Sequence, residues 1–243
     1  MLIINKKNFN LAPILTDVNS IDFSTHSINK NFSFHLPLEE IHVWMTHLNK
    51  KNNLDFSWSQ KKLDISQTSL RYLLSRYLEI SPELFAITKT ERGKPILSEY
   101  PEISFSMAHS GDLLALAFAR HPVGIDLERI RPVKAMALAK KFFLPHEIEF
   151  LATAPKEHFF YLWTAKEAAL KADGCGITQG LRQAVTVIQE DSLAGLHLNG
   201  KFISITPWFL EATLESYTGA VASFISPSLI RWYDWRTADN LSD

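Results

Sequence analysis

Hydrophobic period constrains this chain more than any other feature. Strand-length apolar runs and longer stripes at helical spacing occur in blocks, punctuated by proline and glycine. IHVWMTHL (41–48) alternates apolar and polar residues as a half-buried strand does. In ISQTSLRYLLSRYLEI the apolar side chains Leu70, Leu73, Leu74, Tyr77 and Leu78 recur at helical spacing, and Ser81-Pro82 predicts the stop. ISFSMA (103–108) and LLALAFAR (113–120) read as two strands joined by a short turn around His109-Ser110-Gly111, with VGIDLE (123–128) as a third. KAMALAKKFF, PHEIEFLA and EHFFYLWTAKEAALKA then form three amphipathic helices separated by Pro145 and Pro155, the last ended by Gly174-Cys175-Gly176. AVTVI (184–188), KFISI (201–205), WFLEATL (208–214) and GAVASFI (219–225) predict further strands, and the aromatic IRWYDWR segment has no derivable partner. Each half therefore combines strands with helices, which predicts an α+β fold of two similar lobes. The expected joint is His121-Pro122, giving lobes over 1–121 and 122–243, with residues 1–35 as an irregular lead-in.

Charge and cysteine content narrow the classes of function. In 243 residues, 25 Lys plus Arg stand against 26 Asp plus Glu, a formal net charge of −1. No global field points to nucleic acid or a membrane surface, so a charged partner has to be met by a local patch. Cys175 is the single cysteine. That excludes an internal disulfide and a multi-cysteine metal cluster, and favours a reducing compartment. No apolar run approaches the roughly 20 residues that span a bilayer. The expectation is a soluble, cytoplasmic protein.

Several residues carry potential chemistry. Asp126 and Glu128 stand at i and i+2 of an expected strand, so both carboxylates point to one face and repel unless a cation compensates. Read blandly, they are a solvated strand end balanced by Arg129 and Arg131. Glu167 and Lys171 are i, i+4 on one helix, either an exposed pair worth about 0.3–0.5 kcal/mol or, with Trp163 and Leu170 flanking Glu167, an acid at the edge of the buried stripe. His109 is a turn residue or a donor to an anion, helped by backbone N–H groups beside it. Lys94, in RGKP beside Arg92, serves either solubility or a phosphate.

The order RGKP, FSMAHSG, VGIDLE, then FYLWTAKEAALKADGCGI resembles the signature of the 4′-phosphopantetheinyl transferases, most closely the larger two-lobed Sfp type named for the enzyme that activates surfactin synthetase. The resemblance spans about residues 41–225, and RPVKAMALAKKFFLPHEIEFL resembles the family's helices between the motifs. It implies two pseudo-twofold-related lobes, each a small, mostly antiparallel sheet with helices, and a monomer. It also implies an enzyme that moves the phosphopantetheine arm of coenzyme A onto a serine of an apo acyl or peptidyl carrier protein and releases adenosine 3′,5′-bisphosphate.

Residue by residue, the resemblance places Asp126, Glu128 and Glu167 as ligands of Mg²⁺, with Mn²⁺ as the alternative ion. Hard oxygen donors that leave positions for phosphate and water suit that ion. Glu167 is also the candidate general base, Lys171 the stabiliser of the diphosphate, His109 a donor to it, and Lys94 a contact on the nucleotide side. Arg71, Lys61 and Lys62 are candidates for the coenzyme's 3′-phosphate, with Lys50 and Lys51 beyond them. Ala108 departs from the S-H-S common in the family, which implies one phosphate contact fewer, and Thr68 stands where arginine is frequent. Arg129, Arg131, Lys134, Lys140 and Lys141 form an acid-free basic stretch near Met136 and Phe142, an expected dock for an acidic carrier. Two competing readings use the same residues: an Mg²⁺-dependent phosphohydrolase of coenzyme A or nucleotides, and a carrier-binding module with weak catalysis.

Overall fold

The computed structural model describes residues 34–48, 62–153, 155–176, 180–189, 192–211 and 215–234. Most of the expected lead-in, together with Lys50, Lys51 and Lys61, lies outside them. The first half contains β1 (Glu40–His47), α1 (Lys62–Leu78), a small hairpin of β2 (Thr88–Lys89) and β3 (Pro95–Ile96), and then β4 (Ser104–Ser110) and β5 (Leu113–Ala119). The second contains β6 (Val123–Arg129), the helices α2 (Ala135–Phe142), α3 (Pro145–Thr153) and α4 (Pro155–Asp173), then β7 (Val185–Gln189), β8 (Ser192–Leu198), β9 (Lys201–Glu211), β10 (Ser216–Ser223) and β11 (Leu229–Asp234). The fold is α+β, with one sheet ordered β11-β1-β5-β4 and another ordered β6-β10-β9-β8-β7.

β5 shows why the lobes stack. Its sequence LLALAFA is buried at every position, because Leu114, Leu116 and Phe118 face α1 while Leu113, Ala115 and Ala117 face the second sheet. The inter-sheet core joins Ile41, Val43 and Met45 of β1 to Ile125, Leu127, Tyr217 and Val221 of the other sheet. A third cluster lies between that second sheet and α2–α4. The order of layers is helix, sheet, sheet, helices. Each buried Leu or Phe contributes about 1.5–3 kcal/mol relative to exposure.

Five expectations change. β1 is buried on both faces rather than one: His42 is only 2% exposed, and its polarity is met by a hydrogen bond between Nδ1 and the Tyr77 hydroxyl at 2.8 Å. α1 ends before Ser81-Pro82, because Glu79 turns to φ 57° and the Ile80 N–H bonds back to the Ser75 carbonyl. KFISI and WFLEATL are one strand, β9. Pro207 is tolerated there because pairing with β8 ends at Ile203, leaving that edge of β9 open. SLAGLHL, not expected as a strand, is β8. The unplaced aromatic segment is β11, which pairs parallel with β1 from Glu40↔Leu229 to Met45↔Asp234, so part of the span expected for the second lobe completes the first sheet.

Candidate active site

A glycine brings the motifs together. A Cβ on Gly124 would stand 1.9 Å from the Ala168 carbonyl oxygen and 2.5 Å from the Ala172 nitrogen, so only glycine lets α4 lie this close to β6. Side chains alternate along β6, so Gly124, Asp126 and Glu128 share one face, while Ile125 and Leu127 enter the inter-sheet core. That close approach sets Asp126 beside Lys171, whose Nζ donates to Asp126 Oδ1 at 2.7 Å. The same ammonium also donates to the Ile125 carbonyl at 3.1 Å and the Met107 carbonyl at 3.4 Å.

The acids sit in one electrostatic field. Burial pushes the Asp126 carboxyl up to about 6, against the pull of Lys171, while Glu128 pushes it further and the Leu127 amide draws it down slightly. Burial likewise pushes Glu167 up to about 7; Asp126 and Glu128 add to that, while Lys171 and a hydrogen bond from Trp163 oppose it. Asp126 is 5% exposed, and its Oδ2 is buried without a partner. Glu128 is held outside the cluster: Ser110 Oγ and Arg131 Nη1 both donate to its Oε2, at 2.8 and 2.9 Å.

Among the described residues, no three carboxylate, imidazole or thiol groups are gathered as a metal centre. What the cluster offers is the matching chemistry: hard oxygen donors, mutual repulsion, and one buried oxygen without a bond. Lys171 supplies a positive charge beside Asp126.

Other expected residues are placed differently from the acids. His109 lies within β4 rather than in the turn, with an exposed side chain. Lys94 donates from Nζ to the Ala172 carbonyl at 2.8 Å, tying the β2–β3 hairpin to the end of α4, and burial lowers its pKa to about 8. At that end Gly174 takes φ 78°, and its N–H closes on the Leu170 carbonyl. Arg71 donates to the Pro82 and Phe85 carbonyls and stacks over the Phe85 ring. Lys62 begins α1, but its side chain is outside the described set, as is the whole of Lys61. Ala108 is 5% exposed in the inter-sheet core, on the β4 face whose neighbour Ser106 accepts the Ile125 N–H. A serine there would offer its hydroxyl to β6, not to a phosphate on the side where His109 projects. Of the basic stretch, Arg129 bonds Glu215 at 2.6 Å and Arg131 bonds Glu128, while Lys134, Lys140 and Lys141 remain exposed along α2.

Sequence reasoning missed a second charged centre. Lys166 and Glu147 are both 0% exposed and bonded at 2.8 Å. Lys166 also donates to the Leu181 and Ala184 carbonyls. Glu147 accepts from Thr186 and from the Leu144 N–H at the start of α3, a capping arrangement. The signal was present: Lys166 lies four residues from both Leu162 and Leu170, inside the apolar stripe of α4.

Residues 122–222 match the family model described as the 4′-phosphopantetheinyl transferase superfamily. The chain is 33% identical over 138 residues to the 4′-phosphopantetheinyl transferase psf-1 of Bacillus pumilus, a match covering 55% of this chain and 59% of that protein. It is 38% identical over 142 residues to HetI of a Nostoc species, covering 54% and 60%, and 29% identical over 133 residues to Sfp of Bacillus subtilis, covering 53% and 59%. The matches thus span about half of this chain and about six-tenths of each relative. Over residues 122–222 the chain is similar to the 4′-phosphopantetheinyl transferase superfamily, and across about half its length it is similar to psf-1, HetI and Sfp. Among the described residues, no helix is long and apolar enough to cross a membrane.

Proposed function

We propose that this protein transfers the 4′-phosphopantetheine arm of coenzyme A to a serine hydroxyl of an apo carrier protein. The observation that carries the reading is the pairing of Asp126 with Lys171 across the Gly124 contact, with Asp126 Oδ2 buried and unbonded and the charges of Asp126 and Glu128 acting on Glu167. In the reaction the serine oxygen forms a bond to the phosphorus that carries pantetheine, the diphosphate bridge breaks, and adenosine 3′,5′-bisphosphate leaves. Asp126, Glu128 and Glu167 would hold Mg²⁺, or Mn²⁺ in its place, which supplies charge neutralisation on the diphosphate. Glu167 is also the group placed to take the serine proton. Lys171 already bridges both sides of the site through Met107 and Asp126, and its ammonium serves the diphosphate when that bond is exchanged. His109, exposed on β4, is a donor to the same group, while Lys94 holds the end of α4 on the nucleotide side.

The carrier docks on α2. Lys134, Lys140 and Lys141 are the exposed cations there, with Met136 and Phe142 half-buried on the same helix. Arg129 and Arg131, engaged with Glu215 and Glu128, contribute less. Lys134→Glu combined with Lys141→Glu should raise KM for the carrier, more so at low salt, and leave KM for coenzyme A unchanged. The fused lobes act as a monomer, which gel filtration tests.

The decisive experiment incubates the protein with coenzyme A, Mg²⁺ and an apo carrier, then weighs the carrier by mass spectrometry. One added phosphopantetheine arm on the carrier supports transfer. Nucleotide released without that addition supports hydrolysis, and neither supports a binding module.

A further inference from the structure

The two sheets meet along a seam of serine side chains. Ser104, Ser106 and Ser110 occupy alternate positions of β4, and their hydroxyl oxygens accept the backbone N–H groups of Val123 (3.2 Å), Ile125 (3.1 Å) and Arg129 (3.0 Å) of β6. The step of two along each strand keeps every rung on one face. Ala108 interrupts the series opposite Leu127. The last rung differs in kind. Ser110 Oγ takes the Arg129 N–H on a lone pair and gives its proton to Glu128 Oε2 at 2.8 Å. The amide therefore orients the hydroxyl, and the hydroxyl orients the carboxylate. Arg131 adds a second bond to the same oxygen at 2.9 Å, so both restraints fall on Oε2 and leave Oε1 for a ligand.

We propose that Ser110 is a positioning residue for the reaction, transmitting the junction of the two lobes to Glu128 so that its carboxylate presents Oε1 to the divalent cation. This rests on the reading of Asp126, Glu128 and Glu167 as the ion's ligands. A ligating carboxylate held by an outer hydrogen bond loses rotamer freedom before the ion arrives, and removing such a bond weakens metal affinity by about tenfold or more. Ser106 is the internal contrast. It makes an equivalent inter-sheet bond and, among the described residues, has no hydrogen bond to a carboxylate.

The test is Mn²⁺ binding to the chain without coenzyme A, read from the loss of the free-ion electron paramagnetic resonance signal, alongside thermal unfolding. Ser110→Ala should weaken Mn²⁺ binding about tenfold, and Ser110→Thr, which keeps the hydroxyl, should recover most of it. Ser106→Ala should lower the melting temperature and leave Mn²⁺ affinity at the wild-type value. Arg131→Gln removes the other donor to Oε2 from an exposed side chain and should weaken Mn²⁺ a few-fold without touching the seam; unchanged affinity there overturns the idea that restraint of Oε2 matters. Glu128→Gln separates the two levels of the argument. If it binds Mn²⁺ like wild type, the carboxylate reading fails and the proposal fails with it. If Glu128→Gln is weak while Ser110→Ala binds like wild type, or Ser106→Ala loses as much Mn²⁺ as Ser110→Ala, then Ser110 is only a rung of the seam and the proposal alone is overturned.

Discussion

Lys166 and Glu167 are consecutive residues of α4, and their charged groups meet opposite environments. Lys166 turns into the helical layer, where Glu147 and the Leu181 and Ala184 carbonyls take its protons, and Thr186 and the Leu144 amide complete Glu147. Glu167 turns toward β6, where burial and the charges of Asp126 and Glu128 push its carboxyl up to about 7, and where Asp126 Oδ2 has no bond. Both centres sit in low dielectric, which strengthens every good bond and penalises every missing one. The difference lies in completeness. A finished network holds α3, α4 and β7 in place, whereas the unfinished one leaves Asp126 Oδ2 without a bond and its two acids repelling each other.

The comparison breaks most violently at the finished centre. Glu147→Ala would leave the Lys166 ammonium buried without its partner, and the expected cost is about 3–5 kcal/mol of stability in a urea titration. A loss comparable to that of a surface substitution would show that the pair is not the anchor of the helical layer. At the unfinished centre the effects should reverse. Glu167→Gln should cut transfer by about 10²–10⁴-fold, measured by carrier mass, while the metal-free melting temperature holds or rises because a repelling charge is gone.

Smaller, and sharper, is the dependence on pH. The folded carboxyls of Asp126 (about 6) and Glu167 (about 7) stand above their ordinary values of 3.8 and 4.5, so the folded chain binds more protons than the unfolded chain between them. Their contribution to stability is full below the ordinary values and is lost as pH rises through 6 to 7. His42 runs the other way: burial lowers it from 6.5 to about 4, and its contribution is lost as pH falls through that range. Subtracting the melting profile of Glu167→Gln from that of wild type isolates the acid cluster, and the difference should grow less favourable to wild type from pH 5 to 8. Added Mn²⁺ should raise the wild-type melting temperature more at pH 8 than at pH 5; an equal rise at both would detach the ion from these acids. The smallest effect belongs to Ala108→Ser. Its hydroxyl would face β6, so KM for coenzyme A should not change, and stability should shift by at most about 1 kcal/mol.

Locally dictated features were legible in the sequence. The α+β class, the helices between Pro145 and Gly174, and the placing of Asp126 and Glu128 on one face of β6 all follow from spacing alone. What escaped depends on distant partners. β1 reads as half-buried because His42 and Thr46 are polar, and nothing in their neighbourhood announces the Tyr77 hydroxyl that His42 meets. Lys94 reads as an anion contact from residue type and Arg71 from the family resemblance, yet both donate to backbone carbonyls, which every chain offers without a sequence signature. Lys166 lay in view inside an apolar stripe, but only the fold shows Glu147 waiting for it. β11 could not be placed because parallel pairing carries no turn to mark it.

That last strand sets an order of events during synthesis. β1 is an inner strand, flanked by β5 on one side and by β11 on the other, with Arg231 reaching back to Glu40 across 191 positions. A ribosome making the chain at about 5–20 residues per second releases β1 and β5 long before Leu229–Asp234 exists. Through that interval one edge of β1 is bare, its backbone groups open to any passing strand. The half made first is therefore the half finished last, and nascent chains stalled short of residue 229 should be the ones that a chaperone holds and that self-associate when it lets go.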